Sequence, residues 1–170
     1  MTITNNVFDH NFAIESGAVF NSRSMRQTTS TLALTNNTFT NNKCGQNGGV
    51  YSFILTDYKI ASVDNIYINN SAGLAGGVGY GLRASFALLE ENAYYENNAA
   101  GTYGGAWYLS ANNYKTNLQS FQLSQNTFIS STAQASMLFF YHNFSYFAIE
   151  GGCIYVETGS ISLDQCILQV

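Results

Sequence analysis

The sequence predicts an all-β chain wound as a single-stranded parallel β-helix of about six coils of roughly 28 residues each, right-handed by the preference of parallel crossovers. Two markers that keep one period carry this expectation, together with the strand-like segments between them. The first marker is Asn-x-(Phe/Tyr). It recurs as Asn6-Val7-Phe8, Asn37-Thr38-Phe39, Asn65-Ile66-Tyr67, Asn92-Ala93-Tyr94 and Asn126-Thr127-Phe128, with a worn copy at Gln165-Cys166-Ile167. The second is a glycine pair followed by an apolar strand, as in Gly48-Gly49-Val50-Tyr51, Gly76-Gly77-Val78-Gly79-Tyr80, Gly104-Gly105-Ala106-Trp107-Tyr108 and Gly151-Gly152-Cys153-Ile154-Tyr155. Phe39, Tyr67 and Tyr94 lie 28 and 27 residues apart, and Gly49, Gly77 and Gly105 lie 28 and 28 apart.

The segments between the markers alternate polar and apolar residues, as in Thr31-Leu32-Ala33-Leu34, Ile66-Tyr67-Ile68 and Ser160-Ile161-Ser162-Leu163. A period of two puts one face of a strand inside. Phe86-Ala87-Leu88-Leu89-Glu90-Glu91 would pass for a helical turn in isolation, but its place before Asn92 matches strands elsewhere, so it is read as strand. In such a coil, equivalent residues of successive turns stack at the inter-strand spacing of about 4.8 Å. Phe8, Phe39, Tyr67, Tyr94 and Phe128 then become an internal aromatic column, and Asn6, Asn37, Asn65, Asn92 and Asn126 an amide ladder. The glycine pairs serve the corner before the next strand. The chain has no proline, as central strands that must all donate their N–H groups require.

Only 9% of residues are charged, against 46% hydrophobic and 15% aromatic, so a core forms and the solvent faces are polar without being charged. A net charge of −4 with six Lys and Arg argues against nucleic acid, which needs clustered basic residues, and against an anionic membrane surface. No apolar run is long enough to span a bilayer, and residues 1–6 carry no signal-peptide pattern. The repeat runs from residue 3 to Val170 without polar caps. Residues 1–170 are therefore expected to be one β-helix segment of a longer protein. Cys44, Cys153 and Cys166 have no metal-ligand spacing, and Cys153 reads as a small core residue.

Two insertions interrupt the period. Asn21 to Ser30 reads as a solvated loop. The longer one, 136–147, falls within the coil that ends at 155 and contains Met137, Phe139, Phe140, Tyr141, Phe144 and Tyr146. Insertions in solenoids collect on one face and often bind partners. These six residues are thus candidate binding residues, against the plainer reading that the insert folds back over a coil edge.

The pairing of Gly-Gly-(Ala/Val/Cys)-x-Tyr with Asn-x-Phe-x-Asn-Asn resembles the repeats of the polymorphic outer membrane proteins of chlamydiae and of large surface proteins of some protists. The resemblance implies a right-handed, pectin-lyase-like β-helix displayed on a surface and used for adhesion; it does not imply lyase activity. High Asn with low charge is also similar to proteins of AT-rich protist genomes.

A catalytic reading needs clustered carboxylates. The best cluster is Asp64 with Glu91, expected as rung neighbours near Glu90, all three facing solvent. No glycine pair is followed by the Asp of a calcium-binding repeat, and His10 and His142 are several coils apart, so no metal and no cofactor are expected. Sequons at Asn36, Asn69 and Asn143 raise the odds of secretion slightly. The leading expectation is a non-catalytic structural or adhesive module at a cell surface or outside the cell. Its partners are a protein, neighbouring coils of the same chain, or a glycan. A carbohydrate-binding or polysaccharide-degrading β-helix comes second, with Trp107, Tyr51 and Tyr103 stacking on sugar rings. A scaffold subunit of a large assembly comes third.

Overall fold

The computed structural model describes residues 1–23, 30–54, 58–82, 86–110, 120–133, 140–141, 144–145, 147–148, 154–156, 160–165 and 167–169. Every regular element among them is a β-strand, and the strands stack as a parallel β-solenoid with four walls. Wall I contains β1 (Thr2–Thr4), β5 (Ser30–Thr35), β9 (Tyr58–Val63), β13 (Phe86–Glu91), β17 (Ser120–Ser124) and β24 (Ser160–Asp164). Wall II contains β2 (Val7–Asp9), β6 (Thr38–Thr40), β10 (Ile66–Ile68), β14 (Tyr94–Glu96), β18 (Thr127–Ile129) and β25 (Ile167–Gln169). The two-residue strands of wall III are β3 (Phe12–Ala13), β7 (Lys43–Cys44), β11 (Ser71–Ala72), β15 (Ala99–Ala100) and β19 (Thr132–Ala133). Wall IV carries β4 (Phe20–Arg23), β8 (Tyr51–Ile54), β12 (Gly79–Leu82), β16 (Trp107–Ser110) and β23 (Ile154–Val156).

The regular part amounts to about three turns of about 28 residues, which corrects the expectation of about six. Ser30 pairs with Tyr58 and Tyr58 with Phe86 at that interval. On either side the rise is longer: Thr2 pairs with Ala33, Ala87 with Ser120, and Ser120 with Ser160. The extra residues lie in the segments between wall IV and wall I, or in the insert. The walls therefore keep their registry while the connections vary.

The corners explain the asparagine doublets. Two columns of residues adopt the left-handed backbone: Asn5, Asn36, Asp64, Asn92, Gln125 and Gln165 between walls I and II, and His10, Asn41, Asn69, Asn97 and Ser130 between walls II and III, all with φ between 48 and 59°. Asn and Asp adopt that conformation at lower cost than other side chains. Between walls III and IV, Gly48, Gly76 and Gly104, the first glycines of three pairs, do the same, for example Gly48 at φ 71°, where a Cβ would strike the Tyr51 carbonyl oxygen.

The residue after each left-handed asparagine turns inward and, where it is itself an asparagine, builds a ladder, and there are two ladders where the sequence reading placed one. In the ladder between walls II and III, the side-chain oxygen of Asn70 accepts from both the backbone N–H (3.1 Å) and the Nδ2 (2.9 Å) of Asn42. Asn98 does the same for Asn70, and Asn42 for Asn11. Each Nδ2 also donates to a carbonyl one coil back: Asn42 to Phe8, Asn70 to Phe39, Asn98 to Tyr67. Asn42, Asn70 and Asn98 are completely buried, so this satisfies groups that would otherwise be costly to desolvate. The ladder between walls I and II runs Asn6, Asn37, Asn65: Asn65 accepts both bonds from Asn37, while Asn37 accepts the backbone N–H of Asn6, whose Nδ2 donates to the Thr4 carbonyl.

Beside the ladders runs the aromatic column, with stacked rings 4.9 Å apart for Phe8–Phe39, 5.1 Å for Phe39–Tyr67, 4.6 Å for Tyr67–Tyr95 and 4.4 Å for Tyr95–Phe128. The anchor of the fourth coil is thus Tyr95, and Tyr94 is displaced to the outer face, opposite Ile66. By the same one-residue shift, Ala93 and not Asn92 takes the inward ladder position; Asn92 sits in the left-handed column and donates to Asp64 Oδ1 at 2.7 Å. The last coil shifts likewise: Leu168 pairs with Phe128, while Ile167 is exposed. The doublet Tyr94-Tyr95 offers two registers with the same side chain, and the backbone rise of 28 residues chooses between them.

Candidate functional site

The inner face of wall I carries one carboxylic acid, with a serine on one side of it and a leucine on the other. The inward column of wall I runs Ile3, Leu34, Ser62, Glu90, Leu123. Glu90 is 3% exposed, which corrects the solvent-facing placement expected from sequence. Period-two alternation puts Leu88 and Glu90 on one face of β13, and Leu88 is fully buried. That alternation was the signal available in the sequence, and the adjacent Glu91, exposed on the other face, obscured it.

Three side chains bond the carboxyl. Ser62 donates to Glu90 Oε1 at 2.8 Å, Tyr95 donates to Oε2 at 2.6 Å, and Asn126 Nδ2 donates to Oε2 at 3.1 Å. Trp107 Nε1 donates to the Tyr95 hydroxyl at 2.9 Å and so orients it. Ser62 in turn accepts from Asn65 Nδ2 at 2.9 Å. Burial pushes the Glu90 carboxyl up to about 7, against the lowering by the Tyr95 and Ser62 hydrogen bonds. Burial also raises the Tyr67, Tyr95 and Tyr51 phenols, with the nearby Glu90 charge adding to it.

This cluster takes the place of an interrupted ladder. The Ala93 backbone N–H keeps the regular ladder bond to Asn126 Oδ1 at 2.8 Å, but alanine supplies no Nδ2 beside it and no side-chain oxygen to the coil before. Asn126 Nδ2 would by analogy seek the Glu90 carbonyl, as Asn65 Nδ2 seeks that of Leu34, but it takes the Glu90 carboxyl instead.

Family models, curated proteins and solved structures offer no match to this chain.

The other residues singled out from the sequence fall as follows. Trp107 is 1% exposed and Tyr51 is fully buried, so neither forms a surface platform for sugars. Trp107 lies flat against the Tyr51 ring, 6.0 Å away, across Gly79, where a Cβ would run into the indole. Tyr103 is half-buried, its ring 5.8 Å from Tyr108. Asp64 and Glu91 are not rung partners: Glu91 pairs with Val63 and Ser124, whereas Asp64 stands in the left-handed column. Met137, Phe139 and Tyr146 of the insert lie outside the described residues, as do Cys153, Cys166, His142 and the sequon asparagine Asn143. The backbone of Phe140 and Tyr141 (β20, Phe140–Tyr141) pairs antiparallel with β21 (Phe144–Ser145), and β22 (Phe147–Ala148) pairs antiparallel with β23. The end of the insert thereby covers the edge of wall IV.

Outside wall I, Ala61, Val63, Leu89, Glu91, Gln122, Ser124 and Asp164 line an open groove of about 390 Å³. Among the described residues no group of three His, Cys, Asp or Glu is placed to share a metal ion, and no helix is long and apolar enough to cross a membrane.

Proposed function

We propose that this chain is a non-catalytic structural or adhesive module of a surface or extracellular protein, a right-handed solenoid of the pectin-lyase-like type that contacts a protein or glycan along a flat outer wall. The outer face of wall II carries this reading. It aligns Val7, Thr38, Ile66, Tyr94 and Thr127 in one row and Asp9, Thr40, Ile68, Glu96 and Ile129 in the other. Side chains of adjacent coils are held about 4.8 Å apart by the backbone. Such a row is pre-organised, so binding to it loses little conformational entropy. Right-handed winding accords with the strong preference of parallel crossovers. Binding of the purified protein to glycan arrays and to cell surfaces tests the reading. Ile66→Lys and Ile129→Lys should abolish it, and binding retained by both variants overturns the role of wall II.

The groove on wall I favours a second reading, a carbohydrate-binding or polysaccharide-degrading surface. Glu91, Ser124 and Asp164 occupy successive rungs of one outer column, so the two carboxylate positions are on the order of 9–10 Å apart. That separation approaches the range of acid and base pairs that work through an intervening water. Reducing-sugar release from polysaccharides that disappears in Glu91→Gln supports this reading over the first.

A further inference from the structure

The fourth coil departs from its neighbours at two inward positions together. In the regular pattern an aliphatic residue of wall I precedes, by three positions, an asparagine of the ladder: Ile3 and Asn6, Leu34 and Asn37, Leu123 and Asn126. The third coil changes the first member to Ser62. The fourth changes both, to Glu90 and Ala93. A polar group has been lost from the ladder and one has been gained three residues earlier, and the gained carboxyl bonds the third coil through Ser62 and the fifth through Asn126.

The geometry points to a proton-operated joint: protonated Glu90 ties the third, fourth and fifth coils together, and its ionisation loosens the stack there. Every described group that faces the carboxyl is neutral. Ser62 comes from β9, Asn126 from the corner before β18, Tyr95 from β14, with Tyr67 of β10 and Tyr51 of β8 behind them. The described basic residues Arg23, Lys43 and Lys59 are exposed, and His10 lies in the first coil. A carboxylate at this place has donors but no counter-charge, and an unpaired buried charge is destabilising.

The neutral acid, by contrast, has an outlet for its own proton. It donates to Ser62 Oγ, and the Ser62 hydroxyl turns toward the Tyr67 phenol, whose oxygen is 3.3 Å from that of Tyr51. The proton state of one residue is thus tied to the orientation of hydroxyls on three walls.

The sign of the effect follows from burial. The folded-state carboxyl sits near 7, above the ordinary 4.5, so the folded protein binds the proton more tightly than the unfolded chain. The stabilisation is complete below about 4.5 and is lost as pH rises through about 7.

Equilibrium unfolding in urea at several pH values between about 5 and 8, together with hydrogen exchange of the intact protein, tests the joint. The folding constant of the wild type should fall on the order of a hundredfold across that window. After correction for intrinsic rates, amides of residues 90–95 and 126–128 should lose protection before those of the second coil. Glu90→Gln should remove the fall, and a Glu90→Gln protein that shows the full fall overturns the proposal. Glu90→Leu combined with Ala93→Asn rebuilds the pattern of Leu34 and Asn37 and should fold with no fall; a fall in that variant overturns it equally. Carboxyl-carbon NMR titration of the wild type reads the group without substitution. One glutamate should titrate near neutrality, and a set that titrates wholly in the ordinary carboxylate range overturns the joint.

Discussion

The two amide ladders solve the same problem with different tolerance for change. Between walls II and III, Asn11, Asn42, Asn70 and Asn98 form a run unbroken over four coils, ending at Ser131, in which the side-chain oxygens of Asn42, Asn70 and Asn98 each bond the coil before twice. Between walls I and II the run stops at Ala93, and the fourth coil is held by Glu90, Tyr95 and Asn126. The unbroken ladder is insensitive to pH because amides do not titrate. The broken one has exchanged an amide for an acid, and with it a fixed bond for one that depends on protons. What separates them is where the polar atom originates: a ladder asparagine lies one residue from its corner, whereas Glu90 reaches the same region from a strand.

The sharpest way to break the comparison is to remove an amide from the unbroken ladder. Asn70→Ala would strip Asn42 of its acceptor and the Phe39 carbonyl of its donor, all in the core. It should cost roughly 4 kcal/mol in urea unfolding, since each buried group left unpaired costs about 1–3 kcal/mol. The loss should be nearly the same at acid and alkaline pH.

Next in size is the broken ladder. Between pH 4.5 and about 7 the wild type should lose roughly 3 kcal/mol through Glu90. A double-mutant cycle of Glu90→Leu and Ala93→Asn should then show about 1–3 kcal/mol of favourable coupling at pH 8. Additive effects there would mean that the two positions are independent accidents.

A corner substitution has a smaller effect. Asn69→Ala, at φ 55° and exposed, should cost about 1 kcal/mol in thermal or urea unfolding, because alanine lacks asparagine's tolerance of the left-handed backbone. At Asp9 the sign of the pH effect reverses. Hydrogen bonds from Thr40 and Asn41 and the contact with His10 hold its carboxyl near 2, below the ordinary 3.8. Its contribution is present above 3.8 and lost as pH falls through about 2, and Asp9→Asn should remove that slight acid sensitivity.

Much of this was readable from the residues. Phe39 and Tyr67 give the core column, the glycine pairs give the corner before wall IV, and Phe86–Glu91 is a strand as its neighbours implied. The errors cluster at doublets. Asn41-Asn42, Asn69-Asn70 and Asn97-Asn98 were legible as repeats but not as a second internal ladder, since nothing in a doublet says which member turns inward. Tyr94-Tyr95 was assigned one residue early for the same reason. Trp107 and Tyr51 suggested a surface because aromatic residues after a glycine could face either way. Gly79, which leaves the indole its space, is two rungs' worth of information that no local pattern contains.

The sequence by itself determined the architecture, because a recurring pattern of strand and corner residues needs only local preferences and a shared period to specify a stacked coil. The tertiary structure decided which side chain of each doublet is buried and placed Glu90 among Ser62, Tyr95 and Asn126. The reason is geometric. A shift of one residue inverts the two faces of a strand at almost no cost in local preference, and only registry with the coils on either side, fixed by backbone hydrogen bonds, makes one face the inside.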